Sequence, residues 1–449
     1  MNAANPVILE RALSRPPKEA DLPLRGDSIG NDRYTCAEYL KREYHKVWHA
    51  VWNIGGVAYQ MPEPGDYLTT ELGIDSIIMV RQEDGSVKAF FNSCPHRGTR
   101  ITEAEDGHVK EFSCPYHGWT FDRNGVVTSV PDEEDFAESP CGKARLKEMP
   151  CEERFGLIWY NFDPDASSLD DSLGETICRE LESHRIEDML RVLDMTAETR
   201  SNWKIITDNF NEAYHVKVLH PELIPYVAAD YEDCQFDCFP NGHNRGWFPS
   251  FMPSVQYRSD VIGEPLKSMA AAWNVNSDDY VGRDTWQQLR VDIQAAKRES
   301  GEAQGYVHYS YRADYQLTDY VIYNLFPNNV ITVGPDGVQL LRPRPHPTDP
   351  AKCLFDHWWL VNRVEGQAMT PSPAGGPDLP VADAPHEHIQ YGEKTLGTTA
   401  DQDLSIAEMQ QKGLASAGYQ GYWMPNQERR VQAFHEHLND LMRDSRGSR

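Results

Sequence analysis

The sequence predicts an α+β chain in two parts, a β-rich unit followed by a larger unit that mixes helices with strands. Three observations predict it. Short runs rich in β-branched and aromatic residues, at 76–81, 87–92 and 157–162, alternate with turn signals such as Glu83-Asp84-Gly85-Ser86, Glu105-Asp106-Gly107 and Asp122-Arg123-Asn124-Gly125. This makes 43–160 a β-rich domain. Further on, strand-like runs at 320–325, 329–333, 337–344 and 354–361 sit among helical patterns at 203–219, 404–417 and 427–442. Between them, 365–385 holds five prolines and three glycines and reads as a loop or lid. Residues 1–42 form an N-terminal arm with a short helix at 37–44. No internal repeat is present.

Composition narrows the function. The chain has 43 Lys and Arg against 69 Asp and Glu, a net charge of −26. A surface so acidic repels phosphate backbones, which argues against a nucleic-acid partner. No apolar run approaches the ~20 residues of a membrane span. The start, Met1-Asn-Ala-Ala-Asn-Pro6, shows no basic segment leading into an apolar one, so no signal peptide is expected. Nine cysteines are scattered along the chain. Seven of them (Cys36, Cys141, Cys151, Cys178, Cys234, Cys238, Cys353) read as free thiols of a reducing cytoplasm. Cys234 and Cys238 lack the second pair that a metal site would need.

The other two cysteines stand in the most informative segments, Cys94-Pro95-His96 and Cys114-Pro115-Tyr116-His117, with seventeen residues between His96 and Cys114. Each half offers one thiolate and one imidazole. A Rieske [2Fe–2S] cluster needs that mixture, two cysteines on one iron and two histidines on the other. Tetrahedral zinc also accepts two of each, but ordinary zinc fingers keep the cysteines together and the histidines together. Both halves share a proline after the cysteine and a glycine, Gly98 or Gly118, that permits a tight return.

A second set of ligands lies in the segment from Asp208 to His220. His215, His220 and an acid would make the two-histidine, one-carboxylate triad of non-haem Fe(II) sites, which leaves positions open for O2 and substrate. Five residues on a regular helix swing the second side chain by ~140° from the first. Both can bind one metal only if the helix widens locally or ends near His220. Pro221 favours such an ending. Glu212, three residues before His215, stands on the same side of a helix as that ligand.

With both motifs in one chain, the sequence resembles the α-subunit, or terminal oxygenase, of the Rieske non-haem iron oxygenases of the aromatic ring-hydroxylating dioxygenase family. The likeness runs over nearly the whole length. It implies a β-rich Rieske [2Fe–2S] domain set into a catalytic domain of the helix-grip type, an antiparallel sheet with helices, made by the arm 1–42 plus 161–449. It implies that Cys94, His96, Cys114 and His117 hold the cluster. It implies that His215 and His220 hold the iron, with Asp403 as third ligand and Asp401 as the alternative. Glu212 would link the iron-ligating histidine to His117 of a neighbouring subunit for electron transfer, and many members carry Asp there.

The resemblance also places Asn209 and Phe210 at the pocket and makes Leu219, Leu223, Tyr323 and Asn324 further pocket candidates. For the apolar and aromatic ones among these, plain core packing is an equal reading. Tyr116 and Trp119 read as packing residues beside the cluster. His386 and His388 read as part of a solvated loop, and His435 and His437 as residues of a terminal helix and not ligands. No Gly-rich dinucleotide fingerprint is present, so electrons would come from a separate reductase or ferredoxin. The inter-subunit path implies a ring, a homotrimer or an α3β3 assembly with a small β-subunit. O2 would be the co-substrate. The expected activity is hydroxylation, chiefly dihydroxylation, of an aromatic compound, with a monooxygenase or demethylase acting on an aryl ether or amine as the alternative. A pure electron carrier is the reading from another class.

Overall fold

The computed structural model describes residues 9–443. The first residues, read above for a leader, lie outside that range. The chain parts into two compact units. One runs from Arg42 to Gly174, and the other joins the arm up to Lys41 with the chain from Glu175 onward.

The smaller unit is all β apart from short helical turns. Five antiparallel strands lie in the order Asp106–His108, Asp66–Leu72, Asp75–Arg81, Val87–Phe91 and Glu148–Met149. Two three-stranded sheets accompany them, one of Trp52–Val57, Leu157–Asn161 and Cys151–Arg154, the other of Phe112–Ser113, Thr120–Phe121 and Val127–Ser129. Ile78, Val80, Phe90, Phe121 and Leu146 meet in a core in which each is fully buried, a contribution of about 2 kcal/mol per side chain. The unit continues past the boundary expected at 160. Arg154 pairs with Asp170, and the Leu169 N–H donates to Glu152 Oε1 at 3.0 Å, which fastens the short helix Leu169–Leu173.

The larger unit is built on one eight-stranded sheet. Its strands are β1 (Leu190–Thr199), β2 (Gln235–Cys238), β3 (Asn244–Phe248), β4 (Tyr320–Leu325), β5 (Asn329–Val333), β6 (Gly337–Pro345), β7 (Cys353–Val361) and β8 (Glu387–Gln390), in the order β2-β3-β4-β5-β6-β7-β1-β8. All pairs are antiparallel except β1 with β8. Side chains alternate between faces along a strand, so the register sorts them. Asn244, Asn324, Val330, Leu341, His357 and Met195 stand in one row on one face. Phe355, two residues before His357, shares that face and stacks on Phe210 with ring centres 6.4 Å apart. Phe210 ends helix α1 (Trp203–Phe210), so this is the face that α1 covers.

On the opposite face, Arg245 is fully buried with Glu180 and Asp237, and Tyr323 donates to Glu180 Oε2 at 2.8 Å. The N-terminal arm closes over this group. Pro17 O accepts from Arg245 at 2.6 Å, Pro16 O accepts from Gln235, and the Glu19 N–H donates to Asp237 Oδ1 at 3.0 Å. The arm therefore belongs to this unit through buried polar bonds and not through the backbone alone.

Two features differ from expectation. The helical pattern at 203–219 is not one helix, since α1 stops at Phe210 and a single turn, α2 (Val216–Leu219), resumes later. His388 lies on edge strand β8, while His386 just before it stays in irregular chain and bonds Asp194 Oδ1 at 3.0 Å, so the loop reading fails for His388 only. The remaining helices of the site are α3 (Thr398–Leu414) and α4 (Arg429–Arg443). Among the described residues no helix is long and apolar enough to cross a membrane.

Candidate metal centres

In the smaller unit the two Cys-Pro loops are copies of one another. Cys94 N–H donates to Thr99 O at 2.8 Å and Gly98 N–H to Cys94 O at 2.9 Å. Likewise Cys114 N–H donates to Trp119 O at 2.8 Å and Gly118 N–H to Cys114 O at 3.0 Å. Each return turns on a glycine with positive φ, +79° at Gly98 and +67° at Gly118, where a Cβ would be strained. The consequence is a sorted set of ligands. Both thiols are 3 % exposed within the core, while His96 is exposed and His117 half-buried, their rings 4.6 Å apart. Trp119 stacks on His96 at 4.9 Å with the planes within 5°, so it packs against the ring as expected. Inward thiols and outward imidazoles fit a two-iron cluster of mixed ligation.

In the larger unit, α1 explains how two histidines five residues apart converge. Asn202 caps its start, accepting the Lys204 N–H at 3.0 Å. At its end Arg430 of α4 donates to Phe210 O at 3.2 Å, a cation on the negative end of a helix. The chain then leaves the helix. The Glu212 carboxylate accepts the N–H groups of Tyr214 and His215, competing with the helical ladder. His215 opens α2 and His220 closes it in a non-helical conformation, φ −120° and ψ 60°. Of the two ways the spacing allowed, the helix ending near His220 is the one found, in a single turn flanked by two breaks.

His215, His220 and Asp403 place their ligand atoms within 4.8 Å of one another, the one such group for a single ion among the described residues. Asp403 Oδ1 is 2.9 Å from His220 Nε2 and 3.6 Å from His215 Nε2. Asp401 does not take part. Its carboxylate accepts Thr395 Oγ1 at 2.5 Å and the Leu396 N–H at 3.1 Å, and it braces the first turn of α3. The outer nitrogens are held too, Nδ1 of His215 by Glu212 and Nδ1 of His220 by Gln402 Oε1 at 2.6 Å. Such partners fix the tautomer that leaves Nε2 free for a metal. Asn209 Nδ2 donates to Asp403 Oδ1 at 3.0 Å. Burial favours the neutral ring of His220, but the Asp403 carboxylate outweighs it and raises the pKa. Two imidazoles and one carboxylate, each with an oriented partner, fit an iron with open positions.

The remaining candidates divide. Phe210 sits over the sheet on Phe355. Leu223 packs in a cluster with Ala213, Val227 and Phe248, and Leu219 is half-buried on α2. Asn324 is fully buried on the α1 side of the sheet, and both of its amide atoms lack a hydrogen-bond partner. Tyr323 is a correction: as the next residue along the strand it points to the other face, where Glu180 holds it, so it cannot line the same pocket as Asn324.

Sequence reasoning passed over Gln402, although it adjoins Asp403. It also passed over Glu428, whose carboxyl burial and the charges of Glu212 and Asp208 push up to about 7. His435 is no ligand, as expected, yet it supports the site. It is fully buried and bonds Asp208 at 2.9 Å and Tyr34 at 2.9 Å.

Comparison with known proteins agrees with this geometry. The family model of the Rieske [2Fe-2S] domain matches residues 51–149, and that of the ring hydroxylating alpha subunit (catalytic domain) matches residues 186–444. The chain is 30 % identical over 408 residues to the glycine betaine monooxygenase oxygenase subunit of Pseudomonas aeruginosa, covering 88 % of this chain and 83 % of that one. It is 32 % identical to the carnitine monooxygenase oxygenase subunit of Escherichia coli, covering 44 % of this chain and 53 % of that one. It is 38 % identical to the large oxygenase component of the 2,4-dinitrotoluene dioxygenase system of Burkholderia sp., covering 42 % and 44 %. The chain thus spans about half the length of these last two relatives. Among solved structures, a quaternary ammonium Rieske monooxygenase matches with TM-score 0.65 at 18 % identity, covering 93 % of this chain and 95 % of that one. Naphthalene 1,2-dioxygenase with indole bound matches with TM-score 0.64 at 20 % identity, covering 94 % of both chains. The two domains bring with them a Rieske [2Fe–2S] cluster, a mononuclear iron and O2. From the two Cys-Pro loops, the His-His-Asp group and these matches together, the chain belongs to the Rieske non-haem iron oxygenases, as an α-subunit.

Proposed function

We propose that this chain is the terminal oxygenase of a multicomponent system that hydroxylates, chiefly dihydroxylates, an aromatic substrate. The single observation that carries the reading is the convergence of His215, His220 and Asp403 in a chain that also sorts Cys94, His96, Cys114 and His117 into a cluster site. In this reading those four residues hold the [2Fe–2S] group, and His215, His220 and Asp403 hold the iron. When bound, the cluster supplies single electrons and the iron supplies O2 activation next to the substrate.

The chain's own residues do the rest. Gln402 and Glu212 fix the two imidazoles. Asn209 steadies Asp403. In this reading the Glu212 carboxylate, which holds His215 Nδ1, also accepts from His117 of a neighbouring subunit, and Glu428 stands ready to hold a proton. A ring-shaped oligomer, a trimer with or without a β-subunit, follows from that link. Its support is the exposed apolar side chains that follow Glu212 and Asp403 along the chain, Tyr214 and Val218 after the one, Ile406 and Met409 after the other. The free cysteines favour the cytoplasm, and a separate reductase or ferredoxin supplies electrons.

The relatives named as monooxygenases keep demethylation or monohydroxylation as the second reading. Turnover under ¹⁸O2 with a surrogate reductase and NADH, over a panel of polycyclics, aromatic acids and methoxy- or methylamino-arenes, separates the two. Two labelled oxygens in the product support dioxygenation. One label, or formaldehyde release, moves the assignment to the second reading. A reducible cluster with no product from any member sinks the aromatic assignment.

A further inference from the structure

The sheet face beneath α1 carries polar groups that the metal site does not use. His357, in the middle of β7, is fully buried, and its Nδ1 has no hydrogen-bond partner. Its Nε2 lies 2.9 Å from Gln339 Nε2 on the neighbouring strand β6. An amide nitrogen donates, so the ring accepts there and carries its proton on Nδ1. Burial holds the ring down at about 4, which keeps it neutral at physiological pH. Two residues on and on the same face, the Trp359 indole N–H is also shielded from water and unpaired. Leaving two donors unmatched is costly unless something else accepts from them.

The place of these donors ties them to the reaction. Asn209 bonds Asp403, the next residue Phe210 stacks on Phe355, and the Phe355 ring lies 6.2 Å from that of His357. The chain thus leads from the metal ligand to His357 in three contacts. The surroundings are uncharged. In the two cross-strand rows through His357 and Trp359, from β2 to β1, no side chain bears a charge. The guanidinium of Arg430, on the α1 side of the sheet, is taken up by Phe210 O, Ile322 O and Asn244 Oδ1. The His357 row ends beyond Met195 in Glu387 of β8, already paired with Lys394, so a carboxylate would find no free cation in these rows, whereas a neutral oxygen would satisfy the donors.

We propose that His357, with its tautomer set by Gln339, is a substrate-recognition residue whose Nδ1–H, together with Trp359 Nε1–H, receives a neutral acceptor oxygen (carbonyl, ether or phenol) on an otherwise apolar ring substrate. This rests on the oxygenase reading above.

The test is equilibrium binding to the metal-loaded protein without O2. The probes are matched sets: ethylbenzene, acetophenone and benzoate; indane, 1-indanone and indane-1-carboxylate; fluorene, 9-fluorenone and fluorene-9-carboxylate; and glycine betaine. In at least one set the ketone should bind about tenfold tighter than its hydrocarbon and its carboxylate. In His357→Phe that preference should vanish while hydrocarbon affinity stays, a split that a mere packing defect would not produce. Gln339→Leu, at a half-buried position, should reduce the preference and carries the test where His357→Phe does not fold. No ketone preference in any set, retention of it in both variants, or tighter binding of a carboxylate or glycine betaine overturns the proposal. Binding is read without turnover, so the two readings fail separately. Ketone preference with no ¹⁸O incorporation sinks the aromatic-hydroxylation reading, and ¹⁸O incorporation without ketone preference sinks the recognition site.

Discussion

Arg245→Met removes the cation from a buried group whose other members are acids. Glu180 and Asp237 side chains are each 1 % exposed, and Arg245 is 0 % exposed. Arg245 donates to Asp237 Oδ2 through Nε at 3.1 Å and through a terminal nitrogen at 2.7 Å, and it pairs with Glu180. Methionine fills a similar volume but leaves two carboxylates without a counter-charge. Breaking a buried ion pair from one side costs about 3–5 kcal/mol. For a unit of this size that corresponds to a fall in Tm of roughly 5–8 °C. The assay is calorimetric unfolding of wild type, Arg245→Met, and the triple variant Arg245→Met/Glu180→Gln/Asp237→Asn. The triple variant should recover more than half of the loss, because neutral amides need no cation and still accept from Tyr323. A second readout follows from the arm, whose Pro17 O accepts from Arg245. Tryptic cleavage after Lys18 and Arg25 should speed up in the single variant. A single variant within about 0.5 kcal/mol of wild type, with unchanged cleavage, would refute the claim that this charge group docks the arm.

Other predictions concern the site. Glu212→Gln should keep both metals, measured by iron and sulfide analysis, yet lower oxygenation by at least ~100-fold in steady-state assay, because the amide cannot bear the carboxylate's charge next to His215. Asp403→Ala should abolish the electron-spin resonance signal of the nitric oxide adduct of the mononuclear Fe(II) while leaving the cluster signal intact, and Asp401→Asn should retain both. His357 gives an acid dependence. The folded ring titrates at about 4 against 6.5 in the unfolded chain, so below 6.5 only the unfolded state gains the proton. Stability contributed by the neutral ring is therefore complete above 6.5 and lost as pH falls to about 4, amounting to ~3 kcal/mol. Urea unfolding at several pH values should show a loss greater by about that amount in wild type than in His357→Gln, the remainder coming from other buried neutral histidines such as His184, His308 and His435.

Four of the eight strands of the larger unit were legible because their runs are short, β-branched and bounded by turns, whereas Leu190–Thr199, Gln235–Cys238, Asn244–Phe248 and Glu387–Gln390 were passed over. Those expected at 320–325 and 329–333 have the observed limits, and β6 and β7 differ by one residue at an end. The two ligand loops were legible because their chemistry is local. What escaped depends on partners far along the chain. The break after Phe210 needs Arg430, 220 residues away, and the side chain of Glu212 turned back onto its own backbone. Helical propensity over 203–219 carries no trace of either. Tyr323 was misplaced because strand parity cannot be assigned to a face until a neighbour is known, and Glu180 settles it. His388 looked like loop because prolines surround it, yet a single edge strand needs only the free side of β1. Asp403 was preferred to Asp401 on the resemblance alone; the physical reason, that Thr395 and Leu396 already occupy Asp401, lies in the fold.

The central claim is that one chain holds two separate metal centres. Iron and acid-labile sulfide per chain, counted after anaerobic reconstitution with Fe(II) and removal of loosely bound metal, test it most directly. Two sulfides and three irons are expected, with a fall to two irons in His215→Ala. Two irons and two sulfides in the wild type, unchanged by added Fe(II), would contradict it and leave an electron carrier.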